Sequence, residues 1–102
     1  MPDLKDLRLA DFEPLRESSF RLSGEGLPEP LALRLVETRS LTRADGAGER
    51  RQPFGLVFRG PRDPVLPQRI YRVEHDALGA QEIFLVPIRR DGEGTDYEAI
   101  FT

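Results

Sequence analysis

Residues 68–88 read "QRIYRVEHDALGAQEIFLVPI", and this stretch decides the fold. In its first part Tyr71 and Val73 share a face with Arg69 and His75, while Ile70 lies with Gln68, Arg72 and Glu74. A period of two is the mark of a half-buried strand. "HDALG" at 75–79 then gives a compact hairpin connection, with Asp76 able to accept a backbone hydrogen bond at the turn start and Gly79 able to supply a positive φ. "EIFLVPI" follows, apolar on both faces as a central strand would be. Pro87 lacks a ladder donor and moves that end toward an edge or a bulge. Strands joined by so short a turn run antiparallel.

The same alternation spreads outward. "PLALRLVE" at 30–37 sets Leu31, Leu33 and Leu35 against Ala32, Arg34 and Val36, and "PFGLVFRG" at 53–60 sets Phe54, Leu56 and Phe58 against Gly55, Val57 and Arg59. "SSFRLSG" at 18–24 points Phe20 and Leu22 inward, and "YEAIF" at 97–101 groups Tyr97, Ala99 and Phe101. Six strands are counted. Helix is confined to a turn or two within residues 3–16, because Pro14 limits continuation beyond Glu13. Gly- and Pro-rich connections separate the strands, and the one at 42–52 is expected to be the most mobile internal segment. The expected architecture is all-β: a small antiparallel barrel or sandwich of about six strands with a short N-terminal helical turn, one domain over residues 1–102. Its expected core is Phe20, Leu22, Leu33, Leu35, Leu56, Phe58, Tyr71, Val73, Phe84, Val86 and Phe101. Prolines at strand ends suggest management of at least one open edge, which a second chain would pair with or cover.

Composition narrows the functions. The chain has 102 residues, 38% of them hydrophobic, enough for one core and no more. It contains no cysteine, so disulfides, thiolate catalysis and Cys-based zinc sites are excluded. "MPDLKDLRLADFEPL" is broken by charges every few residues and offers neither a signal core nor a membrane span, so a soluble, cytoplasmic protein is expected. The net charge is −3, but residues 39–72 carry eight bases against three acids, between two acidic flanks. Acidic flanks that fold back onto that middle segment would neutralise it. Nucleic-acid binding is therefore not expected, since phosphate affinity needs uncompensated positive charge on one face.

No constellation of catalytic residues stands out. His75 is the single imidazole, and its neighbours Glu74 and Asp76 point to the opposite face of a strand, so neither is its automatic partner. The serines sit in no nucleophile-elbow context. "DGEGTD" at 91–96 has oxygen ligands but not the spacing or terminal bidentate Glu of an EF-hand, and "GAGERR" at 46–51 joins two strands and opens no helix. No catalytic, cofactor or metal residue is assigned. The residues singled out for an interaction or structural site are Arg59, Gly60, Pro61, Gln68, Tyr71 and His75. Gly60 is expected to take an unusual φ, Arg59 and Arg69 to pair with Glu74, Glu82 or Glu98 across strands, and His75 to fix the turn that follows it.

Phe54, Phe58, Gly60 and Pro61, then Gln68, Tyr71, His75, Leu78 and Gly79, then Phe84, Val86 and Pro87, and last Tyr97, Glu98 and Phe101 form a pattern across nearly the whole chain. It resembles that of a family of short bacterial proteins labelled only as a domain of unknown function. Gly55 stands where the family pattern has Ser, and Thr102 where it has Asn. The resemblance brings no catalytic residues. It does imply a setting near phage-tail-like or tail-collar-like proteins, and hence a role in assembly. The expected function is a non-enzymatic interaction or assembly module with a protein partner or a second copy. The alternative left open is a small ligand-binding or enzymatic β-barrel, whose sign would be a closed pocket receiving His75, Tyr71 or an arginine.

Overall fold

The computed structural model describes residues 6–24, 26–41 and 53–102. A short helix α1 (Leu9–Phe12) and a 3₁₀ turn (Glu13–Leu15) lead into six strands: β1 (Ser19–Ser23), β2 (Leu31–Ser40), β3 (Phe54–Gly60), β4 (Arg69–His75), β5 (Gly79–Arg90) and β6 (Thr95–Phe101). Every pairing is antiparallel, and the order β1-β2-β3-β6-β5-β4 closes on itself. The sheet is a barrel. Closure falls to β1, which pairs with β2 along Ser19–Leu22 and with β4 at Arg21–Glu74, Leu22–Val73 and Ser23–Arg72. The fully open edge expected from the prolines is thereby corrected, because each of the six strands has a neighbour on both sides, although β4 at Arg69–Tyr71 runs past the end of its pairing with β1. Pro87 pairs with Tyr97 beside an irregularity before Arg89, so it marks a bulge inside the sheet.

The alternating residues fill the barrel. Phe20, Leu22, Leu33, Leu35, Leu56, Phe58, Tyr71, Val73 and Phe101 are buried together as the periodicity predicts. Phe84 and Val86 are not: Phe84 is exposed and Val86 only half-buried, and Ile83 and Leu85 occupy the interior in their place. The reason is register. Direct partners across an antiparallel pair share a face. The turn pairs His75 with Gly79, which places Ile83 opposite Tyr71 and sends Phe84 outward with Ile70.

Both ends of the barrel are plugged. At one end α1 lays Phe12 on Phe54 and Phe101, with ring centroids 5.8 Å from each, while Phe54 and Phe101 stack at 4.7 Å. Such aromatic contacts add to the area they bury. The α-helix ends at Phe12, and Pro14 sits in the 3₁₀ turn, where its missing N–H costs nothing. At the other end the loop after β3 turns Leu66 inward, where it is 5% exposed. The loop at 42–52, expected to be the most mobile segment, lies outside the described residues.

If Phe12 is the plug and Phe84 an outside residue, their truncations will differ sharply. Phe12→Ala will cost about 3–5 kcal/mol, and Phe84→Ala about 0.5 kcal/mol or less, both read from urea unfolding. Equal losses would mean that the assigned register of β5 is wrong.

Candidate functional site

His75 closes β4 and its ring is fully engaged. Nδ1 accepts the Ala77 N–H at 3.0 Å, and the Leu78 N–H donates to the His75 carbonyl at 3.1 Å. Gly79 follows at φ 69°, closing the turn without a side-chain clash. His75, rather than Asp76, therefore supplies the turn acceptor. The Asp76 carboxylate instead accepts from Arg21 on β1 at 3.0 Å.

The Ala77 amide also assigns the tautomer. A backbone N–H can only donate, so the neutral ring carries its proton on Nε2. That nitrogen lies 3.1 Å from Ser18 Oγ and donates to it, and the Ser18 hydroxyl donates onward to the Leu15 carbonyl. The pair looks like a serine–histidine dyad but runs in the opposite direction. A general base must present a lone pair to the hydroxyl it deprotonates. Here the ring's lone pair is spent on Ala77, and the relay ties the turn before β1 to the β4–β5 hairpin. Phe20 packs on the imidazole at 4.6 Å between centroids.

Arg59, Gly60 and Pro61, at and just after the end of β3, border a groove with Glu17, Ser19 and Arg34, and Tyr71 lies four residues before His75 on β4. Gly60 does not have the unusual φ expected of it. It is a strand residue paired with Thr95, and a Cβ there would come within 2.6 Å of Leu33 Cδ2, so a side chain would have to push Leu33 aside. Two tyrosines anchor the adjoining loop. Tyr97, 1% exposed, accepts the Leu66 N–H at 3.0 Å, and Tyr71 donates to the Pro67 carbonyl at 2.5 Å. Burial pushes the Tyr71 hydroxyl pKa up, against the nearby charge of Arg69. Gln68 is exposed beside this loop.

Arg59 does not reach Glu74, Glu82 or Glu98. Its guanidinium spans Asp91 and Asp96, with Asp96 at 2.8 Å, and these contacts hold it more firmly protonated. Asp96 is buried and takes Arg89 on its other oxygen, through Nη2 at 2.8 Å and Nε at 3.0 Å. Asp91 caps the turn at 91–94 by accepting the Glu93 and Gly94 amides at 2.8 and 3.0 Å. Its pKa is held below the usual carboxylate range, chiefly by the Glu93 amide and then by Arg59. The Asp91 and Asp96 carboxylates of "DGEGTD" are thus committed to arginines and amides, the arrangement of a capped hairpin turn.

The six residues singled out from the sequence therefore do not converge on one site. A different feature lies on the outside of the barrel. Ile70 on β4 pairs with Phe84 on β5, and two residues beyond the Val86–Glu98 pair Phe84 comes level with Ile100 on β6. These three are 61%, 50% and 52% exposed, an apolar row across three neighbouring strands. The signal was present in "EIFLVPI", which is apolar on both faces.

Residues 7–101 match the family described as Domain of unknown function (DUF6916). The chain belongs to this family. No curated protein and no solved structure matches it. Among the described residues no helix is long and apolar enough to cross a membrane.

His75→Ala will lower stability by about 1–2 kcal/mol, the worth of two hydrogen bonds. Combined with Ser18→Ala its effect will be less than additive, because both substitutions break one relay. Additive losses in the denaturation cycle would refute the relay. A separate test concerns acid. Because the Asp91 pKa is lowered in the folded state, its contribution is present at neutral pH and is lost as pH falls through the carboxylate range. The urea midpoint of Asp91→Asn will therefore fall less steeply on acidification than that of the parent.

Proposed function

We propose that this chain is a non-enzymatic protein-interaction or assembly module, acting in the cytoplasm, and that the row Ile70–Phe84–Ile100 is its docking face. The exposure of that row carries the reading: water-facing Ile and Phe on three adjacent strands are costly to solubility and gain their value when a partner covers them. Two further observations support it. The barrel interior is packed with side chains, Tyr71 and Tyr97 included, and the only imidazole is used as a structural link. The kind of partner proposed, a component of a phage-tail-like assembly or a second copy of this chain, rests on the resemblance noted from the sequence and on no geometry.

A photo-crosslinking side chain placed at Ile100 in the native host tests this directly. The expected result is a crosslink of defined mass that disappears on Phe84→Glu while the thermal unfolding of that variant is unchanged. A crosslink indifferent to Phe84→Glu, or none at all, would overturn the docking face.

A further inference from the structure

The docking face has a basic margin. Eight arginines lie on the described strands, and six of them, Arg21, Arg34, Arg39, Arg59, Arg89 and Arg90, hold a carboxylate. Arg69 and Arg72, which flank Ile70, hold none among the described residues. Arg72 stands across from Glu82 in the β4–β5 register, and even so no ion pair forms between them.

The two arginines border a groove. It has a volume of about 500 Å³ and lies between Ser23 and Gly24 on one side and Arg69, Ile70, Tyr71 and Arg72 on the other. It exists because β1 is shorter than β4. The seam between them ends at Ser23–Arg72, and the chain then turns away, with the Leu27 N–H donating to the Gly24 carbonyl at 3.2 Å. β4 continues past that point through Tyr71 and Ile70 to Arg69. A stretch of strand margin is left beside a groove carrying two guanidinium groups that no described carboxylate meets. An extended chain laid there would meet strand backbone, the Ile70 side chain and two fixed positive charges together.

We infer that the docking face receives an extended acidic segment of its partner, with apolar side chains on Ile70 and Phe84 and carboxylates on Arg69 and Arg72. This rests on the reading of the Ile70–Phe84–Ile100 row as a docking face. Charge complementarity selects the occupant: a carboxylate-bearing strand supplies the partners that the fold provides for the other six arginines and withholds from these two. Glu82 on the β5 side of the groove repels acids there, so the carboxylates approach from the side of Ser23.

The probe is a displayed library of random short peptides, selected on the immobilised full-length protein. The selected pool is expected to alternate apolar residues with Asp or Glu. Arg69→Gln with Arg72→Gln should weaken the best peptide about tenfold, and Phe84→Glu should abolish its binding. Added salt should weaken it as well. Selected peptides that are apolar without acidic enrichment, and lost on Phe84→Glu, would overturn the acidic segment and keep the docking face. Basic peptides would overturn the inference outright. A pool with no enrichment, or one indifferent to Phe84→Glu, would overturn the docking face as well.

Discussion

Three residue pairs close this molecule. Where Arg21, Leu22 and Ser23 meet Glu74, Val73 and Arg72, a curled six-stranded sheet becomes a barrel. The seam is short, and the polar groups around it act as ties. Arg21 reaches Glu74 at 3.7 Å and Asp76 at 3.0 Å, and the Ser18–His75 relay crosses the same boundary one turn away. Exposed ion pairs of this kind contribute little singly. Their value lies in position, since each joins β1 to the β4–β5 hairpin, the two parts that the seam has to hold together.

Closure creates a second requirement, because a barrel exposes its interior at both ends unless something covers it. The N-terminal segment covers one with aromatic rings, and the loop after β3 covers the other with Leu66. Leu66 alone of residues 61–68 is buried, and its backbone amide then needs a partner. The Tyr97 and Tyr71 hydroxyls serve the Leu66 amide and the Pro67 carbonyl, and Thr95 Oγ1 donates to the Arg62 carbonyl at 3.1 Å. The same chain that needed a plug thus carries the polar groups that hold the loop in place around Leu66.

Charge follows the fold in the same way. Among the described residues, two arginines of the basic middle are met by the acidic C-terminal part: Arg59 by Asp91 and Asp96, and Arg39 by Glu98. Arg90 reverses the direction, pairing with Asp63 at 2.6 Å. Part of what looks like a basic segment along the chain is therefore an internal set of ion pairs. Arg69 and Arg72 stand outside it among the described residues, and they border the exposed apolar row Ile70–Phe84–Ile100.

Strand number, antiparallel pairing, the helix ended by Pro14, the turn at 75–79 and most of the core were all determined by the sequence. Each depends on local chemistry: a period of two, a ring without an N–H, a glycine able to adopt positive φ. Which face of β5 turns inward was not legible. "EIFLVPI" is apolar on both sides, and only the pairing of His75 with Gly79 sends Ile83 inward and Phe84 out. The role of Gly60 depends on Leu33, distant in sequence, and the partners of Arg59 and the direction of the His75–Ser18 relay depend on β6 and on the turn before β1. Alternation names two faces of a strand but does not say which is inside, and a polar side chain's partner is set by whatever the closed sheet brings beside it. Those choices belong to register and closure, which exist only once all six strands have met.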